Sequence, residues 1–127
     1  MNIVCGVDIV EIIRIKKLVD RRREEALQSI FTLQEISYCR SFKANYAEKF
    51  AGRFAVKEAV LKVLGKGIFG PVPINCIEIL NNTEGKPYLV LKGKALEYYN
   101  ILSIASIDIS ISHTASLAVG FATALKE

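Results

Sequence analysis

Residues 51–67 read AGRFAVKEAVLKVLGKG, and the reading of this stretch sets the reading of the rest. Phe50, Phe54, Leu61 and Leu64 supply an apolar stripe at helical spacing, and the alanines between them permit close packing. Asn45 with Glu48 three residues later has the spacing of a capping box, and Gly65 is a good C-terminal stop. The spacing predicts one long helix. Arg53, Lys57, Glu58 and Lys62 interrupt its apolar run. Glu58 and Lys62 stand four apart in the favourable order, an ordinary surface pair that contributes a few tenths of a kcal/mol. Arg53 and Lys57 form another near-neighbour pair, both basic. The same four side chains could equally present one carboxylate and several cations to an anion with its metal, and spacing leaves both readings open.

Upstream, NIVCGVDIVEI predicts a buried strand over about residues 2 to 10. IIRIKKLVDRRREEAL then places Ile12, Ile15 and Val19 on one helical stripe, with Arg14, Lys17 and Arg21 along another side. Thr32 followed by Glu35 predicts a capped short helix. Downstream, extended runs at about 74 to 80 and 87 to 91 flank a polar loop with Gly85 and Pro87, the pattern of a hairpin. KGKALEYYNIL fits a short helix. SIDISISHTASLAVGFATAL alternates cleanly from Ile107 to Ile111, breaks at Ser112-His113-Thr114 and resumes as a strand. The pattern is α+β, a mainly antiparallel sheet packed on a long central helix, in one domain over 1–127.

Bulk properties narrow the function classes. The chain has 127 residues, 51% of them hydrophobic, which argues against disorder. Lys plus Arg exceed Asp plus Glu by 17 to 13, a net charge of +4 that favours an anionic partner without choosing one. Six bases, Arg14, Lys16, Lys17, Arg21, Arg22 and Arg23, crowd into one segment. The three cysteines form no CxxC pair and read as buried free thiols of a reducing compartment. No apolar run is long enough to span a bilayer, and the N-terminus meets Asp8 and Glu11 too early for a signal peptide. A cytoplasmic location is expected.

Two positions resist a purely structural reading. Asp8 puts a carboxylate inside a β-branched run, where it needs solvent, a cation or a basic neighbour, unless the strand has simply reached its polar end. His113 is the only histidine, so no His-rich metal site can form within one chain. Flanked by Ser112 and Thr114, it suits a polar turn or a phosphate equally well. LGKGIFG fails as a phosphate loop, because it lacks the GxxxxGK[ST] spacing and leaves a helix rather than entering one.

Taken in order, GVDIVEI at 6–12, FT..E at 31–35, FAGRFAVKEAVLKVLGKG at 50–67, GKP at 85–87 and SISHT at 110–114 resemble the holo-[acyl-carrier-protein] synthase family of phosphopantetheinyl transferases. The resemblance implies that fold, and transfer of 4'-phosphopantetheine from coenzyme A to a serine of apo acyl carrier protein. It implies Mg2+, or Mn2+ in its place, held by Asp8 and Glu58 against the pyrophosphate, since a hard cation takes oxygen ligands and keeps several waters. Lys62 matches a phosphate contact and Glu35 a candidate for activating the carrier serine, so that Glu35, Glu58 and Lys62 form the implied catalytic set. Arg53 and His113 match nucleotide-phosphate contacts, Gly85, Lys86 and Pro87 the adenine side, and Gly65 the pantetheine side. Arg14, Lys17 and Arg21 match a helix that docks the acidic carrier protein, and the implied assembly is a homotrimer with shared sites.

Two other classes compete. A basic nucleic-acid-binding domain would use the 14–23 cluster on phosphates, but the aromatics form no stacking motif and Asp8 is left without a role. A noncatalytic module of ferredoxin-like appearance accounts for the strands, and leaves the ordered segments a coincidence. Neither nucleic acid nor membrane is expected as a partner.

Overall fold

The computed structural model describes residues 1–68 and 70–127. Chain order is β1 (Asn2–Glu11), α1 (Ile12–Arg21), α2 (Glu24–Gln28), α3 (Leu33–Arg40), α4 (Tyr46–Val63), a 3-10 turn (Ile74–Cys76), β2 (Ile77–Asn81), β3 (Pro87–Leu91), α5 (Gly93–Ile101), β4 (Ile104–His113) and β5 (Leu117–Lys126). The first and last segments pair into one antiparallel sheet of order β1-β5-β4, and β2 pairs with β3 in a separate two-stranded sheet. The antiparallel α+β architecture with its long helix is as the sequence predicts. The extended run expected from residue 74 begins only at Ile77, because Ile74–Cys76 takes a tight helical turn.

Alternation decides which face of the larger sheet meets the long helix. Gly6 of β1 and Ala118, Gly120, Ala122 and Ala124 of β5 are buried against α4. These residues are all small, so the helix seats unusually close. A Cβ on Gly6 would run into the Ala59 carbonyl oxygen, and one on Gly120 into the backbone of Ala55 and Val56. The opposite face carries Ile3, Val7, Ile9 and Phe121, exposed by 78, 53, 59 and 40%. Cys5 points the same way and is exposed, contrary to the buried thiol expected; Cys39 is buried, Cys76 half-buried, and all three are free.

α4 passes through both core clusters. Val56, Val60, Leu61 and Leu64 pack with the sheet and hairpin, while Phe50 and Ala51 pack with Ile12, Ile15 and Val19 of α1. That stripe of α1 is as predicted, but the helix stops at Arg22, whose backbone is extended, and resumes at Glu24. Three consecutive arginines offer the core nothing until Leu27, which is fully buried. Thr32 and Glu35 form the predicted capping box. Asn45 caps α4 by position alone, without the side-chain bond its spacing suggested. Gly65 ends α4 in a left-handed conformation, φ 70°, with Lys66 N–H donating back to Leu61.

Lys57 and Glu35 correct the sequence reading most sharply. Both are fully buried and bonded to each other. Glu35 also accepts from Thr32 N–H at 2.8 Å and Ile79 N–H at 2.9 Å, and Lys57 donates to Ile30 O at 2.7 Å. Lys57 thus belongs to no wet face, and Glu35 is no solvent-facing base: its carboxylate ties α3, α4 and β2 together. Burial pushes the Lys57 ammonium below its ordinary value, and the Glu35 carboxylate opposes that shift. Nearby, buried Glu78 accepts from Thr32 Oγ1 and pairs with Lys92 at 2.8 Å. Removing one member of such a pair strands the other in the core. Lys57→Met is therefore expected to destabilise the fold by about 3–5 kcal/mol, read from urea unfolding.

Candidate functional site

Asp8 occupies the helix-facing side of β1, in register with Gly120. Because α4 seats so closely there, Asp8 comes within reach of the helix's last turns. Lys62 Nζ lies 3.4 Å from Asp8 Oδ1 and donates to Val7 O at 2.7 Å. Asp8 therefore has the basic neighbour its position demanded. Lys62 reaches across to the strand rather than back along the helix to Glu58, so the surface pair suggested by their spacing is not made.

Glu58 lies one turn earlier, half-buried on the same side. Burial first, and then the Asp8 charge, push its carboxyl above the ordinary range, with Lys62 pulling the other way. Two carboxylates that feel one another across a strand–helix seam, beside a lysine, bring hard oxygen donors together. Among the described residues no cluster of three or more candidate metal ligands occurs. Two carboxylates are nevertheless what Mg2+ takes when substrate phosphates and water complete its shell, so the donors fit that ion. Gly65 follows within a turn of Lys62, and a Cβ there would meet nothing within 4 Å. It is needed at this position for its left-handed backbone, not for want of space.

A second group assembles round the other side of the helix. Arg53 and Glu58 are separated by roughly 7.5 Å along the axis and by about 140° around it. Arg53, His113, Gly85 and Pro87 line one cavity of about 210 Å³ together with Tyr38, Glu48, Lys49, Asn81 and Ile111. Three elements deliver them: the middle of α4, the end of β4 and the β2–β3 turn. Arg53 is 4% exposed, its guanidinium 4.2 Å above the Tyr38 ring and donating to Asn81 Oδ1. His113 Nδ1 lies 3.4 Å from Thr114 O and 3.9 Å from Glu48 Oε2. Lys86 is exposed in the turn, its backbone N–H held by Asn82 Oδ1 at 2.9 Å.

The two groups therefore comprise Asp8, Glu58, Lys62 and Gly65 on one side, and Arg53, His113, Gly85 and Pro87 on the other. Glu35 belongs to neither. Tyr38, Glu48, Lys49 and Asn81 escaped the sequence reading, since an aromatic on a short helix, a helix-start charge pair and a turn asparagine each have an ordinary structural reading. Arg14, Lys17 and Arg21 are exposed and, with Leu18 and Arg22, line a shallow basic surface on α1. Among the described residues no helix is long and apolar enough to cross a membrane.

A family model described as the 4'-phosphopantetheinyl transferase superfamily matches residues 4–121. The chain belongs to this superfamily, and within it to the holo-[acyl-carrier-protein] synthases, which makes it a phosphopantetheinyl transferase. It is 43% identical over 122 residues to the holo-[acyl-carrier-protein] synthase of Ruminiclostridium cellulolyticum, covering 96% of this chain and 91% of that one. Against the synthase of Caldanaerobacter subterraneus it is 44% identical over 125 residues, covering 98% and 96%. The crystal structure of the Helicobacter pylori synthase in complex with coenzyme A superposes with a TM-score of 0.82 at 32% identity, over 96% of this chain and all of that one.

Glu58 yields a prediction of unusual sign. A carboxyl raised in the folded state contributes to stability fully at low pH, and that contribution is lost as pH rises through the folded value. In chelator-treated protein at pH 7, Glu58→Gln should therefore raise the melting temperature. The gain should shrink as pH falls through the unfolded-state value and vanish near pH 3, where the carboxyl is largely protonated in both states, and thermal melts at the two pH values check it.

Proposed function

We propose that the chain transfers 4'-phosphopantetheine from coenzyme A to a serine of apo acyl carrier protein in a Mg2+-dependent reaction, releasing adenosine 3',5'-bisphosphate. One observation carries the reading. Glu58 and Arg53 project from different sides of one helix, Glu58 beside Asp8 of β1 and Arg53 into a cavity it shares with His113 of β4. A metal-pyrophosphate centre and a nucleotide phosphate are the two charged features of coenzyme A that such a pair of sites would take. The Helicobacter pylori relative binds coenzyme A, as its structure states.

In this reading Asp8 and Glu58 hold the ion. When bound, Mg2+ (or Mn2+ in its place) would neutralise the pyrophosphate and stabilise the charge that develops on the leaving group. Lys62, already beside Asp8, turns its ammonium to a phosphate oxygen as a point charge. Arg53 and His113 receive the 3'-phosphate, the Gly85-Lys86-Pro87 turn flanks the adenine, and the pantetheine arm passes Gly65. Glu35, enclosed in the core, carries no step. Arg14, Lys17 and Arg21 present a basic helix face that complements an acidic carrier.

The apolar outer face of the β1-β5-β4 sheet supports a homotrimer. Ile3, Val7, Ile9 and Phe121 form a patch that water contacts at a cost and that copies of the chain would cover. In such an assembly the two half-sites on opposite sides of α4 meet their complements on neighbouring subunits. Three free cysteines accord with the reducing cytoplasm as the place of reaction.

Intact-protein mass spectrometry of an apo carrier incubated with coenzyme A and the enzyme, with and without Mg2+, tests the reading. A metal-dependent phosphopantetheine adduct on the carrier serine is the expected result, and no adduct from folded enzyme and a competent carrier would refute it. Asp8→Ala should lower kcat by about 10²–10³-fold, with the fold preserved by circular dichroism. Arg14→Glu should raise KM for the carrier about tenfold and leave KM for coenzyme A unchanged, as steady-state kinetics would report.

A further inference from the structure

We infer that Asn81 is a positioning residue: it holds the Arg53 guanidinium and the β2–β3 turn as one rigid unit, and thereby sets the enzyme's preference for a donor bearing a 3'-phosphate. The inference rests on the reading of the Arg53–His113 cavity given above. Asn81 is the last residue of β2, paired with Pro87 across the hairpin. Both ends of its side-chain amide are engaged. Oδ1 accepts from Arg53 Nη2, and Nδ2 donates to Gly85 O at 2.9 Å. One short side chain thus joins the middle of α4 to the turn that lines the same cavity.

Arg53 needs such a holder. It is 96% buried, and among the described residues no carboxylate pairs with it. Its Nε–H, also buried, has no hydrogen-bond partner among the described residues. Tyr38 supports one face of the guanidinium, but a ring face does not fix rotation within the plane. Asn81 supplies that restraint through a neutral acceptor, which leaves the positive charge uncompensated for an anion. An acidic residue here would hold Arg53 equally well and cancel its charge.

The hairpin stands without Asn81's side chain. Asn82 Oδ1 alone accepts from Glu84 N–H and Lys86 N–H, and Asn82 N–H bonds Lys86 O. The five-pair ladder from Ile77↔Leu91 to Asn81↔Pro87 uses backbone groups. What Asn81 adds is the placement of the turn relative to Arg53.

The experiment compares kcat/KM for coenzyme A with that for 3'-dephospho-coenzyme A, in wild type, Asn81→Ala, Arg53→Lys and the double variant. A ratio between two donors on one preparation does not depend on the fraction folded, so a partly destabilised variant still reports. Wild type should favour coenzyme A. Asn81→Ala should cut that preference about tenfold, the scale of a hydrogen bond to a charged group, through KM for coenzyme A with kcat little changed. In the Arg53→Lys background Asn81→Ala should change the ratio no further. Equal losses for both donors, leaving the ratio intact, would reduce Asn81 to a structural residue and overturn the proposal. A wild-type ratio near one would remove the 3'-phosphate reading itself, and the proposal with it; that failure is visible before any substitution is made.

Discussion

Everything in this molecule depends on how near α4 lies to the sheet. Helix and strand backbones approach until there is no room for a side chain at Gly6 or Gly120. Here Lys62 Nζ reaches both Asp8 and the Val7 carbonyl, and burial first, then the Asp8 charge, raise the Glu58 carboxyl. The close seating brings Asp8 of β1 and Glu58 of α4 near enough to feel one another. Small residues along β5, Ala118, Ala122 and Ala124, extend the same contact down the strand.

A second constraint sets how the helix is held in rotation. The buried Glu35–Lys57 pair clamps α4 to the start of α3 and to Ile79 of β2. A fully desolvated ion pair adds little net stability over apolar packing, but it tolerates few alternative arrangements. We regard it as a register device: with Lys57 directed inward, its neighbour Glu58 must face β1, and Arg53, one turn back, must face the hairpin.

Glu58 carries the cost of that arrangement. Its burial beside Asp8 opposes ionisation, a strain that an unused carboxylate would relieve by turning outward. Arg53 is a buried cation held by an aromatic face and a neutral amide, with its Nε–H left without a partner among the described residues. Acidic and basic side chains therefore gather on two sides of one helix, the carboxylates with Lys62 beside them and Arg53 without a carboxylate partner among the described residues. The exposed apolar sheet face lies opposite α4.

How much was legible in the sequence follows from the range of the forces involved. Periodicity is local, so the strands, the long helix, the Thr32–Glu35 capping box and the Gly65 stop could all be read along the chain. The ordered motifs likewise marked Asp8, Glu58, Arg53 and His113, and the outward face of α1 followed from its stripe. Burial is not local. Nothing in the spacing of Arg53, Lys57, Glu58 and Lys62 distinguishes a core cation from a wet one; a residue 22 positions away on α3 makes Lys57 internal, and a strand 54 positions away draws Lys62 from Glu58. Glu35 looked like an exposed acid for the same reason, and Asn81 like a mere turn residue. The sequence by itself determined which segments form and which side chains could do chemistry. Only the tertiary structure decided which of those charges are desolvated, paired or left open to a ligand, because that depends on what other elements bring against them.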